Sequence, residues 1–515
     1  MPPFRPLSLV SPRAVRWNAA TAVLGLCLAL LSTAAAAFDF DDVAKRAKAL
    51  SDKAYVEAKL QLPAELAALD YDQYRDIRFK PDQALWRKEA LPFEIMFFHV
   101  GAQRDQIVTI NEIVDGKAQH VAFDAKLYDY GKNKLKGGWG DLGHAGFRIH
   151  YPLNTSSYRD EVAVFLGASY LRAVGRGQSY GLSARGLGID THGGPKGEEF
   201  PRFREFWLER PAKGATALTI SALLESPRVA GAYQFVIKPG DDTLTEVKAR
   251  VYLRAGVAAF GVAPLTSMFQ HGENDPRADD FRPEVHDSDG LAIEMADGQW
   301  LWRPLINPKR PTVATFRMRD PKGFGLQQRD RAYTSYEDTE ARYEKRPSAW
   351  VEPVGKWGPG RVEMLSFNTA DETTDNVVAY WVPDKLPAPG NPIEFAYKLY
   401  WQGDKPRRAG NGWTVQSRRG RGLQALGKGE FQYVVDFAGP ALAALPQDAH
   451  VDAAIDTGPN ARLVERNAYR NPVTGGWRMT LRIQRTAAQP IELRATLQQG
   501  NQALTETWTT LIPSD

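Results

Sequence analysis

The chain is almost without cysteine. Its single cysteine, Cys27, lies in an apolar N-terminal segment that we predict is removed on export, so the mature protein has no disulfide, no thiol nucleophile and no cysteine metal site. The sequence also lacks a large excess of positive or negative charge. The formal net charge is +4, and Arg5, Arg13 and Arg16 of the same segment supply three of those charges, which leaves +1. So small a net charge does not favour a nucleic-acid partner.

The N-terminus has the three parts of a secretory signal peptide. A start with arginines and no acid is followed by an apolar run at residues 19–31 and by Ala35-Ala36-Ala37, which is an A-x-A cleavage site. The apolar run is too short to span a bilayer comfortably. We therefore predict a signal peptide at residues 1–37, a mature protein that begins at Phe38, and no stable membrane insertion.

Most of the mature chain has the pattern of short β-strands. Apolar runs of strand length alternate with turn-forming Gly, Pro, Asn and Asp, and Asp297-Gly298 predicts a tight hairpin. One short helix is predicted within residues 41–58, where apolar side chains recur at helical spacing. The sequence thus predicts an all-β sandwich or barrel rather than an α/β sheet. The predicted strands before residue 383 are 91–100, 106–113, 147–151, 216–224, 233–237, 244–253, 291–295, 362–367 and 377–382.

A proline-rich segment divides the predicted strands into two groups. Three prolines and Gly390 fall within eight residues, and such a stretch belongs neither to a helix nor to a central strand. We predict a first unit at residues 38–384, a linker at 385–390 and a second unit at 391–515. The second unit begins with a predicted strand at 393–399 and has about the number of strands that an immunoglobulin-like sandwich uses.

Signatures of a metal or a nucleotide cofactor are missing. No two histidines form an H-E-x-x-H pair, and residues 286–290 begin like a calcium loop but lack the glutamate that would close it. Gly175, Gly177 and Gly181 do not have the dinucleotide-binding spacing, and Ser183 lacks the nucleophile-elbow pattern. The sequence predicts neither a metal site nor a bound cofactor.

Three acids, Asp371, Glu372 and Asp375, lie in a polar loop between the predicted strands 362–367 and 377–382. Repulsion between close carboxylates can raise the pKa of one of them until it stays protonated near neutral pH, which is the state that a general acid needs. The alternative is a solvated loop in which Asp and Thr side chains cap turns. The spacing by itself favours this alternative.

Elsewhere, several short patches mix arginine or aspartate with aromatic residues. Flat aromatic faces and dense hydrogen-bonding groups are what a ribbon of sugar rings requires. For any single aromatic residue, a place in the sandwich core is the better interpretation. Together, the patches favour a carbohydrate groove. They are residues 167–191, 198–211, 282–290 and 300–305.

These patches and several other motifs closely resemble the G/D family of proteins for osmoregulated periplasmic glucan biosynthesis in Gram-negative bacteria. The resemblance covers essentially the whole mature chain, and a leader without a twin-Arg pair is typical of the G members. It implies a periplasmic location, a large N-terminal β-sandwich of the galactose-mutarotase-like kind and a smaller immunoglobulin-like sandwich. The other motifs that carry it are residues 38–50, 226–240, 261–269, 346–353, 371–381 and 469–478.

The resemblance also implies a function. Members of the family act in building or trimming glucans with a β-1,2-linked backbone; some resemble inverting glycoside hydrolases, and some relatives are transglycosylases that cyclise the glucan. We therefore expect a protein that binds the β-1,2-glucan backbone and cleaves or transfers it with inversion at the anomeric centre. The alternative is a non-catalytic glucan-binding scaffold, with the inner-membrane glucan synthase as a partner.

Carried over motif by motif, the resemblance assigns two catalytic carboxylates. Asp375 corresponds to the general acid and Asp287 to the general base. The carboxyl groups of an inverting pair are usually roughly 6.5 to 9.5 Å apart. In this family a substrate hydroxyl and a water chain are thought to relay the protons, so that separation need not apply. Thr374, directly before the proposed acid, stands where the family motif usually has Asn.

Three further residues are predicted to bind substrate. Tyr343 and Arg346 belong to the family motif at residues 342–350, and Trp357 lies in the Gly/Trp turn that follows it. The tyrosine is a candidate for ordering the proton relay or for contacting a sugar. Its alternative is a tyrosine packed at the end of a strand.

Overall fold

The computed structural model describes residues 37–57, 62–101 and 106–514. Strands make up 45% of the structure and helices 8%, so the predicted all-β class is confirmed in this coarse form. The predicted signal peptide, apart from Ala37, lies outside the described residues. No helix in the described part of the chain has the length and the apolar composition of a membrane span.

The first helix confirms the prediction of a short N-terminal helix, although it ends at Ser51. Asp39 begins it by accepting hydrogen bonds from the backbone N–H groups of Asp41 and Asp42. Its buried face packs on strands of a sheet, with Trp207 among the residues that it covers. The helices are α1 (Phe40–Ser51), α2 (Ala64–Ala67), α3 (Tyr71–Arg75) and α4 (Pro440–Ala443).

Every strand predicted before residue 383 overlaps a strand of the structure, and the predicted hairpin at Asp297-Gly298 joins two paired strands. The strands are β1 (Arg78–Phe79), β2 (Glu94–Phe98), β3 (Thr109–Val114), β4 (Lys117–His120), β5 (Tyr128–Asp129), β6 (Gly146–Tyr151), β7 (Asp160–Leu166), β8 (Tyr170–Ala173), β9 (Ser183–Arg185), β10 (Leu187–Ile189), β11 (Arg202–Glu209), β12 (Leu218–Ser226), β13 (Val229–Lys238), β14 (Thr243–Leu253), β15 (Phe260–Ser267), β16 (Phe269–His271), β17 (Val285–His286), β18 (Gly290–Glu294), β19 (Trp300–Pro304), β20 (Thr312–Arg319), β21 (Gly323–Gln327), β22 (Ser348–Val354), β23 (Pro359–Ser366), β24 (Val377–Pro383), β25 (Pro392–Gln402), β26 (Trp413–Arg419), β27 (Glu430–Ala438), β28 (Asp452–Asp456), β29 (Ala461–Arg470), β30 (Trp477–Arg485), β31 (Ile491–Gln499), β32 (Gln502–Ala503) and β33 (Thr507–Ile512).

Two large sheets contain most of these strands. The first sheet has the order β2-β6-β7-β8-β9-β15-β24-β23-β20, with β10 paired to β15. The second sheet has the order β28-β31-β33-β19-β18-β21-β22-β25-β14-β13-β12-β11-β3-β4, with β32 paired to β31. Their inner faces share one apolar core, in which Phe165 of the first sheet lies 5.4 Å from Phe206 and 5.2 Å from Phe235 of the second, between ring centroids. Smaller sheets are β26-β27-β30-β29, β1-β5 and β16-β17.

The second sheet continues across the proline-rich segment. The strand predicted at 393–399 lies in β25, which pairs with β14 on one side and β22 on the other. Near the C-terminus, β33 pairs in parallel with β19, and Trp508 shares a buried cluster with Trp302 and Trp350. The division into units at residues 385–390 stays a prediction, and the pairing of β25 counts against placing that strand in the second unit.

Strand ends bring the candidate site together. Asp287 directly follows β17, Arg346 precedes β22 by two residues, and Asp375 precedes β24 by two residues. The short strand β17 pairs with β16, which follows β15 and so adjoins the first sheet. Residues at the ends of paired strands are held by rigid neighbours, which suits side chains that must meet at a fixed geometry.

Candidate active site

Asp287 is a buried carboxylate with a charged partner. Its backbone N–H donates to the carbonyl of Met268 at 2.9 Å, and the Arg346 guanidinium donates to its Oδ1 atom. Burial raises the pKa of Asp287, the positive charge of Arg346 opposes that rise, and the negative charge of Asp375 adds to it. The two predicted catalytic carboxylates therefore lie close enough to act on one another.

Tyr343 lies on the other side of the same arginine. The guanidinium carbon of Arg346 is 4.1 Å from the centroid of the tyrosine ring, which is almost fully buried and lies 6.0 Å from the ring of Tyr336. Burial raises the pKa of Tyr343, so the hydroxyl keeps its proton at neutral pH. The structure therefore brings Tyr343, Arg346 and Asp287 together, and their roles stay predictions.

A buried glutamine joins this group to the strand that carries Asp287. The Gln328 side-chain amide donates to the carbonyl of His286 at 3.0 Å and to that of Tyr343 at 3.3 Å. Its carbonyl oxygen lies 2.9 Å from the His286 ring, whose other nitrogen is 2.7 Å from Glu284. Each of these polar groups is buried and has a hydrogen-bond partner. Together they form a fixed hydrogen-bonded network.

Asp375 differs because its side chain is about one-third exposed. The nearest cation is Arg172, whose Nη2 atom is 3.8 Å from the carboxylate and whose Nε donates to Ser183 at 2.8 Å. Asp375 lines a cavity of about 290 Å³ together with Tyr170, Arg172 and residues of β7 and the following turn. Burial raises the pKa of Tyr170, its contact with Arg185 opposes this, and the charge of Asp375 adds to it.

The other two acids of the loop have partners of their own. Asp371 accepts hydrogen bonds from the backbone N–H and the hydroxyl of Thr373, at 2.9 and 2.6 Å, and these bonds lower its pKa. Glu372 forms an ion pair with Arg282 at 2.7 Å. The turn-capping interpretation is thus confirmed for Asp371, and only Asp375 of the three acids lines the cavity.

Asn376 fixes the position of this loop. Its buried side-chain amide donates to the carbonyls of Phe269 and Phe367, at 3.0 and 2.9 Å, and its oxygen accepts from the backbone N–H of Phe269 at 2.8 Å. Asp375 is therefore held against β16 through its neighbour Asn376. The strand β16 in turn pairs with β17, which ends directly before Asp287. Thr374, unlike the buried Asn376, is exposed to solvent.

Trp357 is not part of this cluster. Its ring packs 6.1 Å from Trp381 and 6.3 Å from Tyr397, between centroids. Trp381 follows Asp375 by six residues along β24, which corresponds to about 20 Å of extended chain. Among the contacts of the described residues, none joins Trp357 to either catalytic candidate.

Sequence reasoning missed Tyr170, Arg172, Arg282, Gln328 and Asn376. Tyr170 and Arg172 lie in a patch that the sequence marks as polar and aromatic, and Arg282 begins another. The pattern identifies such patches but does not say which side chain reaches the cleft. Gln328 lies outside every motif, and Asn376 lies within the motif at residues 371–381, but the roles of both depend on contacts with residues distant in the sequence, which a motif does not show.

One acidic cluster has the geometry to hold a metal ion. Carboxylate oxygens of Glu273, Glu284 and Asp330 lie within 4.8 Å of one another. Burial and the charge of Glu284 raise the pKa of Glu273 to about 8. The cluster is already in contact with cationic groups, since Arg418 pairs with Glu273 at 2.9 Å and His286 with Glu284 at 2.7 Å. The expectation of no metal site stays a prediction.

The sequence is similar to proteins of known family along nearly its whole length. The family model described as "Periplasmic glucan biosynthesis protein, MdoG" matches residues 38–512. "Glucans biosynthesis protein G" of Ralstonia nicotianae is 54% identical over 499 residues, which is 95% of this chain and 99% of the relative. The proteins of the same name from Pseudomonas paraeruginosa and Pectobacterium atrosepticum are 46% and 44% identical, over 95% and 97% of both chains.

Proposed function

Because this chain belongs to the MdoG family of periplasmic glucan biosynthesis proteins, we propose that it binds a β-1,2-linked glucan at the cleft of Asp287 and Asp375 and cleaves or transfers it with inversion. The observation that carries this proposal is the unequal placement of two carboxylates at separate strand ends. Asp287 is buried against Arg346, Asp375 lines a cavity, and the charge of Asp375 adds to the raised pKa of Asp287. A pair in unequal environments suits one acid and one base.

Asp375 serves as the general acid in this proposal. Its side chain reaches the cavity where a glycosidic oxygen can approach, directly or through a sugar hydroxyl. A bound glucan that fills this cavity brings its glycosidic oxygens next to the carboxyl group. Protonation of the leaving oxygen is the step that breaks the glycosidic bond.

Asp287 serves as the general base. Burial raises the pKa of Asp287 and the ion pair with Arg346 opposes that rise, which favours the charged carboxylate that accepts a proton from water or from a sugar hydroxyl. Tyr343, beneath the same guanidinium, keeps its proton and is placed to order that water or to contact the sugar. Arg346 contacts both groups.

We also propose the finer architecture. Residues 38–384 form a galactose-mutarotase-like sandwich, and the C-terminal strands form an immunoglobulin-like one. Since β25 pairs with β14 and β22, we place the separate strands of the second sandwich after Gln402 rather than directly after the linker at 385–390.

A non-catalytic glucan-binding scaffold, which positions the inner-membrane glucan synthase, is the second candidate. One observation favours it: Asp375 already has a cationic partner, Arg172, at 3.8 Å, so it can serve as one half of an ion pair in a binding surface. A scaffold needs the sugar contacts of the cleft but not a transferable proton.

The product profile on purified linear β-1,2-glucan tests these functions. Shorter linear oligosaccharides mean hydrolysis, and rings or longer chains mean transfer to a sugar hydroxyl. Unchanged glucan, in the presence of binding, supports the scaffold. If the protein neither binds nor converts the glucan, β-1,2-glucan is not its substrate.

A further inference from the structure

A second polar cavity lies behind the turn that carries Tyr343. Its volume is about 820 Å³, larger than the cavity that Asp375 lines. We call it the distal pocket. Its wall includes Gln178, Arg331, Tyr333, Glu344, Asp404 and Lys405.

The distal pocket and the candidate active site share a wall. Arg346 contacts both Asp287 and the Tyr343 ring, whereas Glu344, between Tyr343 and Arg346 in the chain, lines the distal pocket. Arg331 fixes this turn by donating to the backbone carbonyls of Glu344 and Arg346. On the opposite wall, the chain runs from β8, which lines the Asp375 cavity, to Gln178 within five residues of the end of that strand. β8 and the segment that follows it thus border both cavities, with Arg172 at one and Arg176 at the other.

The polar groups of the distal pocket suit a neutral hydroxyl-rich ligand. Positive and negative side chains are nearly balanced around it, which disfavours a strongly charged ligand. Glu344 is buried, and one of its carboxylate oxygens accepts from Arg342 while the other has no hydrogen-bond partner among the described residues. The Nε2 atom of Gln178 is likewise without one. A sugar hydroxyl can both donate and accept, so one kind of ligand satisfies free groups of both types.

The pocket also has an exposed aromatic ring. Tyr333 is 43% exposed, and no ring of the described residues stacks on it. Its backbone is fixed by a short turn, in which its carbonyl accepts from the N–H groups of Tyr336 and Glu337 at 3.0 and 2.8 Å. A fixed, uncovered aromatic face beside hydrogen-bonding groups is the usual platform for a sugar ring.

We propose that the distal pocket is a second sugar subsite, which binds a part of the glucan chain remote from the bond between Asp287 and Asp375, with Tyr333 stacked on a sugar ring. This proposal rests on the proposed function, because it takes the glucan as the ligand. It implies that long chains bind more tightly than the shortest ones that fill the catalytic cleft.

Binding isotherms with long and short linear β-1,2-glucans test the subsite. All proteins carry Asp375→Asn, so that the ligand is not consumed. Tyr333→Ala should weaken the binding of the long glucan about fivefold and lower the preference for long over short chains by the same factor, whereas Tyr333→Phe, which keeps the ring, should stay within about twofold. Tyr71→Ala, at an exposed tyrosine of α3, is the matched control and should change nothing.

A second variant guards against a folding defect. Lys405→Trp places a large side chain at the exposed mouth of the pocket and should also weaken the binding of the long glucan, with an unchanged thermal melt. If Tyr333→Ala and Lys405→Trp both bind the long glucan as tightly as Tyr71→Ala, the distal pocket is not a subsite, and the proposed function is unaffected. If no protein of the set binds either glucan, the proposed substrate is wrong, and the subsite is rejected with it.

Discussion

The two candidate catalytic carboxylates are held in opposite ways. The side chain of Asp287 is 6% exposed and bonded to Arg346, whereas that of Asp375 is 32% exposed, with its nearest cation, Arg172, 3.8 Å away. The first follows a buried strand and the second ends a polar loop. The difference shows how one site can hold one carboxylate in its interior against a cation while it leaves the other accessible to substrate.

The largest effect is expected at Asp375. Asp375→Asn keeps the size and much of the hydrogen bonding but removes the transferable proton, so turnover of linear β-1,2-glucan should fall at least roughly hundredfold. Because the side chain is partly exposed, the thermal melt should not change, and glucan affinity should survive. If the variant folds, binds glucan and turns it over at the parental rate, Asp375 is not the general acid.

Asp287→Asn should lower turnover comparably but should also destabilise the protein. The substitution leaves the Arg346 guanidinium without its negative partner in a mostly buried position, which we expect to cost about 2 kcal/mol of unfolding free energy. Denaturant titrations of the two variants measure the contrast. Equal stability of the Asp287 and Asp375 variants would mean that the ion pair does not hold the site.

Arg346→Met sharpens the same comparison through pH. A base must be ionised, so activity is lost as the pH falls through its pKa, and burial already places the pKa of Asp287 above the ordinary aspartate value. Removal of the opposing positive charge raises that pKa further. The acidic limb of kcat/KM should therefore move to higher pH, while Arg317→Met, at an exposed arginine, leaves it in place. A shift to lower pH would contradict the role of Asp287 as the base.

Asp371→Asn should have a smaller effect, less than about threefold on turnover, because the side chain caps a turn with Thr373 and does not line the cavity. The variant also serves as the control for charge removal within the same loop as Asp375. A loss as large as that of Asp375→Asn would show that the assignment of the acid within the loop is wrong.

Trp357→Ala should have the smallest effect on catalysis. The ring packs against Trp381 and Tyr397 away from the carboxylates, so KM for short β-1,2-oligosaccharides should stay within about twofold while the thermal melt falls. The opposite result, a raised KM with an unchanged melt, would favour the sequence-based assignment of Trp357 to substrate binding.

The strands were predictable because their pattern is local. Apolar runs between turn residues predicted β2, β14 and β24, and Asp297-Gly298 predicted the hairpin of β18 and β19. The partner of β25 was not predictable in this way. A proline-rich segment suggests a boundary, but the pairing of the next strand with β14 and β22 depends on residues far away in the chain.

The candidate site shows the same difference between local sequence information and long-range contacts. Motifs identified Asp287, Tyr343, Arg346 and Asp375 as candidates, and the structure brings the first three into contact, with the fourth close enough to affect the pKa of Asp287. Trp357 is an aromatic residue of the kind that binds sugars, and it lies in a neighbouring segment of the sequence. The course of β23 and β24 nevertheless places it away from the two carboxylates. Residue type is local information, whereas side-chain convergence depends on the whole sheet.

The stereochemistry of the first product tests the central claim most directly. Linear β-1,2-glucan is incubated with the parental protein and followed by proton NMR before the anomers equilibrate. Inversion by Asp375 and Asp287 predicts that the α-anomeric signal grows first, as a free reducing end after hydrolysis or as a new α-linkage after transfer. A β signal that appears first, or no new anomeric signal while the glucan remains bound, would contradict the account.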